Sequence, residues 1–236
     1  MKDQNRTILE VSNLVKKIGQ QHILQNISFK IPGRSKVGFL GLNGAGKTTT
    51  LMAISHIISV DEGNIVIDGK QMAHDNSNSI MFLPDNPLVY PVLKGNEYLS
   101  FMSELLDFDI QETYPLIEKL SLQEVINRKI GDYSLGMKKK ISLIPLLIKN
   151  PKVMLLDEFI SNIDPISMRE IKKELNTYVQ KGNSLVLSTH QLDVVQNYCD
   201  YVLIINQGKI VSNLTRVSEI LQTYGSLEEY FEGNIE

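Results

Sequence analysis

The stretch GLNGAGKT, residues 41–48, fits the spacing G-x-x-x-x-G-K-S/T in full. It stands between KVGFLG (36–41), which reads as a short buried strand, and KTTTLMAISHII (47–58), which reads as a helix. A chain with this stretch is committed to a strand, a tight loop and a helix whose mouth faces an anion. Gly41, Gly44 and Gly46 let backbone N–H groups turn inward around phosphate oxygens with no Cβ in the way. Leu42, Asn43, Ala45 and Thr49 complete the cradle. Lys47 brings a point charge to the phosphates, and the Thr48 hydroxyl is suited to ligate Mg²⁺. The helix adds the positive end of its dipole, about half an elementary charge. From glycine's background frequency, about one chain in a hundred of this size would match by chance; the strand-to-helix placement lowers that further.

VMLLDE (153–158) supplies a second element of the same chemistry. A buried apolar strand ending in two carboxylates sets Asp157 beside the metal, holding it through water. It sets Glu158 beside the terminal phosphate, able to orient or deprotonate an attacking water. The two acids repel, which raises one pKa and makes a better base of the less solvated member. GDYSLGMKKK (131–140) also reads as the mouth of a helix where an anion would sit. One chain thus carries two phosphate cradles.

Further apolar runs give the architecture. ILEV (8–11), ILQNISFKI (23–31), NIVIDGK (64–70), SIMFLP (79–84) and NSLVLSTH (183–190) read as strands, and YVLIINQGKIV (201–211) as a hairpin turning at 206–208. Between Pro84 and Pro151, EYLSFMSELLDF, YPLIEKLSL and MKKKISLIPLLIKN recur at helical spacing, which predicts a helical insert. Strand and helix alternate on either side of it. The expected fold class is α/β: a P-loop NTPase core, with a mixed sheet of parallel central strands flanked by helices. To this are added an antiparallel β subdomain and the inserted helical subdomain. The expected organisation is a single domain, with its core at 1–88 and 151–215, the helical subdomain at 89–150 and a short helical tail at 216–236. The net charge of −3 argues against a nucleic-acid partner. Cys199 is the sole cysteine, which excludes an intrachain disulfide and suits a reducing compartment. No apolar run reaches the length of a membrane span and the N-terminus lacks a secretory pattern, so contact with a membrane is expected through another protein.

The phosphate loop, the SLGM turn, the VMLLDE strand, SNID (161–164) and STH (188–190), with their spacings, resemble the ATP-binding subunits of ABC transporters over about residues 7–215. The resemblance implies ATP and Mg²⁺ as ligands and a second nucleotide-binding domain as partner. In that family two such domains pair head to tail, each ATP lying between the phosphate loop of one and the signature turn of the other. Tyr133, Ser134, Leu135, Gly136 and Met137 match that turn, so Ser134 and the Gly136 amide are implied to hold the partner's γ-phosphate. Asp164 is implied to shape the opposite active site and His190 to sense the γ-phosphate, completing a catalytic set with Glu158 and Lys47. DNPLVYPVLKGNEYLSF (85–101) is implied to face a membrane permease, which places the chain in the cytoplasm on the inner face of the membrane.

Four positions depart from the family pattern. Ile18 stands where an aromatic normally stacks on adenine, and Asp85 where a glutamine senses Mg²⁺; a carboxylate there can still ligate the metal. Leu135 replaces the first signature glycine, and Pro145 should kink the helix that follows. The SLGM spelling and the acid after Leu83–Pro84 resemble subunits serving exporters of peptides, antimicrobials or polymers. Two other readings stay open at this point: a hydrolysis-poor partner in a heterodimer, and an ATPase of this type with no membrane role.

Overall fold

Val153–Asp157 and Ser184–Thr189 are buried along their whole lengths, as strands covered on both faces must be. They form the centre of a sheet in a computed structural model that describes residues 6–71 and 79–235. In chain order the strands are β1 (Thr7–Ile18), β2 (Gln21–Pro32), β3 (Lys36–Leu40), β4 (Glu62–Ile67), β5 (Lys70–Gln71) and β6 (Ile80–Leu83). They continue as β7 (Val153–Asp157), β8 (Ser184–Thr189), β9 (Tyr201–Asn206), β10 (Lys209–Ile210) and β11 (Thr215–Arg216). The helices are α1 (Lys47–Ile54), α2 (Gly95–Leu106), α3 (Tyr114–Lys119), α4 (Leu135–Lys149), α5 (Pro165–Gln180), α6 (Leu192–Tyr198), α7 (Val217–Tyr224) and α8 (Leu227–Ile235).

The main sheet runs β10-β9-β3-β8-β7-β6, with β11 also on β9. Strands β6, β7, β8, β3 and β9 are mutually parallel, so their C-terminal ends open on one edge. That edge is where an open α/β sheet binds ligands. A second, antiparallel sheet runs β2-β1-β4-β5. Its apolar face (Leu9, Leu14, Leu24, Ile27, Ile31) packs with α1 and with Phe39 and Leu155 of the main sheet in one core cluster. The opposite face of the main sheet packs α5 to α8. Residues between β6 and β7 form their own core around Tyr98, Leu120, Ile130 and Ile141. Helix α4 ties it to the main body, pairing Lys140 with Glu170 of α5.

Local chemistry sets the ends of these elements. Asp68–Gly69 and Gln207–Gly208 take positive φ at both positions, the type I′ geometry of two-residue hairpins. Strand β1 extends well past the expected ILEV, because register shifts after Val11 and Leu14 bend it without ending its pairing with β2. Helix α1 stops at Ile54 rather than running to residue 58: the Ser55 hydroxyl donates to Leu51 O, and His56 turns left-handed at φ 57°. Helix α4 runs on to Lys149 through Pro145.

Candidate functional site

Helix α1 begins at Lys47 behind Gly46, whose φ is 107°, with no side-chain cap and no acid in its first turn. Its leading N–H groups have no intrahelical acceptor, so they present an open anion seat. A Cβ on Gly46 would lie 3.1 Å from Leu24 Cδ2 and 3.3 Å from Ile205 Cδ1, in a conformation that only glycine takes freely. Gly44 sits at φ 80°. Lys47 is almost wholly buried; its ammonium donates to Gly41 O at 2.7 Å and Leu42 O at 3.1 Å. Burial lowers its pKa, while the charges of Glu158 and Asp157 oppose that. Glu158 Oε1 lies 3.8 Å away.

Thr48 and Asp157 are 109 residues apart in sequence, yet Thr48 Oγ1 donates to Asp157 Oδ2 at 2.6 Å. The sheet order explains this: β8 lies between β3 and β7, and Ser188 of β8 donates to the other Asp157 oxygen. Hydroxyl and carboxylate oxygens are the hard donors that suit Mg²⁺. Among the described residues no group of three or more His, Cys, Asp or Glu side chains could hold a metal. A pair of protein oxygens, with phosphates and water for the rest, is how Mg²⁺ is commonly held. The residues fit that ion and a triphosphate.

Glu158 follows directly, at φ 44° and largely shielded. Its Oε2 accepts from Ser161 Oγ at 2.9 Å and Thr189 Oγ1 at 3.2 Å, and its Oε1 lies 2.8 Å from His190 Nδ1. The structure thus brings together Lys47, Thr48, Asp157, Glu158 and His190 at the C-terminal edge of β3, β7 and β8.

The second cradle is built differently. Ser134 caps α4, its hydroxyl accepting from Met137 N at 3.2 Å, while Leu135 is exposed. Asp164 caps α5 by accepting from Ser167 N at 2.9 Å; that hydrogen bond holds its carboxyl below the usual range. The two caps touch: a Cβ on Gly136 would meet Ser167 Oγ at 2.7 Å and Asp164 Oδ2 at 2.9 Å. The Gly136 turn therefore packs on the head of α5, whereas Gly41 and Gly46 of the first loop pack on Leu24, Ala45 and Ile205. Asp85, expected to reach the metal, has its carboxylate 3.2 Å from Lys139 Nζ. Ile18 is exposed near the tip of the β1–β2 hairpin.

Three contributors had no role in the sequence reading: Ser161, Ser188 and Lys139. Ser161 opens SNID and Ser188 opens STH. Lys139 hid in a run of three lysines, although Gly136, Lys139, Lys140 and Leu143 share an i, i+3, i+4, i+7 face that turns inward.

A family model described as ABC transporter matches residues 24–161. A lantibiotic transport ATP-binding protein of Streptococcus pyogenes is 28% identical over 204 residues, covering 86% of this chain and 89% of the relative. An uncharacterized ABC transporter ATP-binding protein of Methanocaldococcus jannaschii is 31% identical over 231 residues, covering 96% and 84%. A solved ATP-binding subunit of an ABC transporter superposes with a TM-score of 0.85 at 26% identity, covering 96% of this chain and 99% of that one. A nucleotide-free ATP-binding cassette matches in fold, with a TM-score of 0.81 at 23% identity over 95% and 99%.

Proposed function

The chain belongs to the ABC transporter family as an ATP-binding subunit, an ATPase coupled to transport, and on that premise we propose that it powers an exporter. Two nucleotide-binding domains close head to tail around ATP and drive a separate membrane permease. The observation that carries the hydrolytic reading is the setting of Glu158. A carboxylate held by two hydroxyls and an imidazole, and facing Lys47, is aimed and cannot drift.

In this reading the N–H groups from Gly44 to Thr49 hold the β- and γ-phosphates. Lys47 exchanges the Gly41 and Leu42 carbonyls for phosphate oxygens. Magnesium, when bound, neutralises charge developing on the β- and γ-oxygens; Thr48 and Asp157 are the residues that would hold it. Glu158 takes a proton from the attacking water, and His190 keeps the carboxylate turned toward it. Ser134 and the Gly136 amide, packed away from this chain's own loop, serve the nucleotide of the partner copy. Asp164, against Gly136, sets that turn.

The exporter assignment draws on the lantibiotic transport relative and on the SLGM turn. In this proposal the chain sits on the inner membrane face through its permease; among the described residues no helix is long and apolar enough to cross a membrane, which agrees with that reading. Leu88, Tyr90 and Val92 are exposed in the 85–101 segment, which supports a permease contact there. Ile18, Asp85 and Leu135 favour a second reading, a hydrolysis-poor member of a heterodimer.

Two experiments test the head-to-tail pairing and the hydrolysis. With Glu158→Gln, ATP and Mg²⁺ are expected to hold a stable dimer in light scattering; monomer alone would remove the head-to-tail arrangement for this chain. Steady-state phosphate release above a Lys47→Ala blank removes the hydrolysis-poor reading.

A further inference from the structure

We propose that Lys139 is a positioning residue for Glu158, and that through Asp85 it links the setting of that carboxylate to the segment entering the helical insert. This rests on the hydrolytic reading of Glu158. The side chain of Lys139 is wholly buried. Its ammonium donates to Ser161 O at 3.0 Å, to Glu158 O at 3.2 Å and to Asp85 Oδ1 at 3.2 Å, which accounts for its three N–H groups. The Phe159 ring closes over it, with the centroid 5.6 Å away. Burial lowers the lysine pKa; the Asp85 hydrogen bond and charge, then the Glu158 charge, oppose that. A buried ammonium left without partners is strongly unfavourable, so the groups it binds are held to it.

Those groups are the ones that aim the catalytic carboxylate. Glu158 sits at φ 44°, a conformation that side-chain-bearing residues keep only when their surroundings enforce it. Ser161 N donates to Glu158 O at 3.1 Å and Ser161 Oγ donates to Glu158 Oε2 at 2.9 Å. The 158–161 turn is thus gripped twice: by Ser161 on the carboxylate side and by Lys139 on the carbonyl side. Lys139 also lies on α4, the helix that Ser134 caps, so the clamp is part of the signature helix. Its one charged partner in an ion pair, among the described residues, is Asp85. The Asp85 side chain is 56% exposed and stands three residues before the exposed Leu88. A displacement of residues 85–90 therefore bears on the ammonium, and through it on the turn that carries Glu158. The exposure of Asp85 makes it the arm that can move; the buried carbonyls are the arm that cannot.

The test compares Glu158→Gln, Lys139→Met, Asp85→Asn and the Lys139→Met/Asp85→Asn double variant of the full chain, by ATP-dependent phosphate release and thermal melting. Lys139→Met is expected to lower kcat about ten- to a hundredfold, the scale of a small misplacement of a catalytic group, with KM for ATP within about twofold because the phosphate loop is untouched. Asp85→Asn is expected to lower kcat several-fold at unchanged KM and to add nothing in the Lys139→Met background. A folded Lys139→Met chain with wild-type kcat, beside an inactive Glu158→Gln chain, overturns the proposal while leaving the hydrolytic reading intact. If Lys139→Met does not fold, Asp85→Asn decides: a lowered kcat at constant KM supports the link, and a wild-type kcat overturns it. Wild-type turnover in Glu158→Gln removes the hydrolytic reading and this inference with it.

Discussion

Gly136 shows how much of this molecule turns on a missing methyl group. It sits in the first turn of α4, an ordinary helical position where alanine is normally preferred. Here the Cβ direction is filled by Asp164, whose side chain caps α5, and by Oγ and Cβ of Ser167, whose N–H that cap accepts. Gly136→Ala must therefore push one helix head off the other: the two oxygens can rotate away, but Ser167 Cβ, at 2.9 Å, moves only with α5 itself. An overpacking cost of about 1–3 kcal/mol is expected, visible as a lower midpoint in urea unfolding monitored by circular dichroism. In the Glu158→Gln background the same change is expected to abolish the ATP-dependent dimer, because the displaced turn carries Ser134. Intact dimerisation would show that the Gly136 turn has no part in the second cradle. Ile18 makes the complementary case: nothing about this exposed residue at the hairpin tip is strained, and only comparison with a pattern makes it noticeable.

At the scale of elements, the caps and turns decide where helices and strands begin, and α5 offers a clean measurement. The Asp164 carboxylate accepts from Ser167 N and is exposed, so its contribution is that of an N-cap, about 1 kcal/mol. The hydrogen bond holds the native pKa below the ordinary carboxylate value. The sign follows: the charged cap contributes in full above the unfolded carboxyl's range, near pH 4, and its contribution is lost as pH falls through the lowered native value. Asp164→Ala is thus expected to cost about 1 kcal/mol at pH 7 and less at pH 3, by denaturant titration at each pH. An equal cost at both would show that the carboxylate's charge is not what caps α5. Elements of this kind differ in how far the sequence discloses them. The phosphate loop and the β7 and β8 runs are legible because their information is local: glycine spacing, β-branched runs and terminal acids. The continuation of β1 past Val11 is not, since it depends on cross-strand partners in β2 and β4 that keep the pairing through successive register shifts. Helix α1 reads long because Ser55 and His56 end it through backbone geometry rather than through glycine or proline. Lys139 escapes notice because a lysine run is ordinarily solvated, and only the Asp85 carboxylate with the carbonyls of the 158–161 turn makes an inward lysine tenable. Pairings such as Thr48 with Asp157 come from strand order, which no single segment encodes.

For the molecule as a whole, the question is whether the last twenty residues are an appendage. Their amphipathic pattern alone allows a tail that packs loosely or elsewhere. In the structure Val217, Ile220, Leu227, Tyr230 and Phe231 enter the same core cluster as Val194 and Tyr198 of α6 and Val202 and Ile204 of β9. Polar bonds fix the same contact: Leu227 N donates to Gln196 Oε1 at 3.1 Å, and Asn206 Nδ2 donates to Ile235 O at 3.3 Å. Helix α6 begins two residues after His190, so the C-terminal helices brace the element that leads away from the C-terminal edge of the main sheet. Phe231 is 8% exposed, and replacing it with alanine removes a buried ring and leaves a cavity that the cluster only partly closes. A loss of about 3 kcal/mol is expected. The decisive feature is the shape of the transition rather than its size. If α7 and α8 are part of the core, the main unfolding transition itself shifts, by far-ultraviolet circular dichroism and by tyrosine fluorescence alike, because one cooperative unit unfolds. An appended tail would give a separate early transition and leave the main one where it was, and the core would then end at β11.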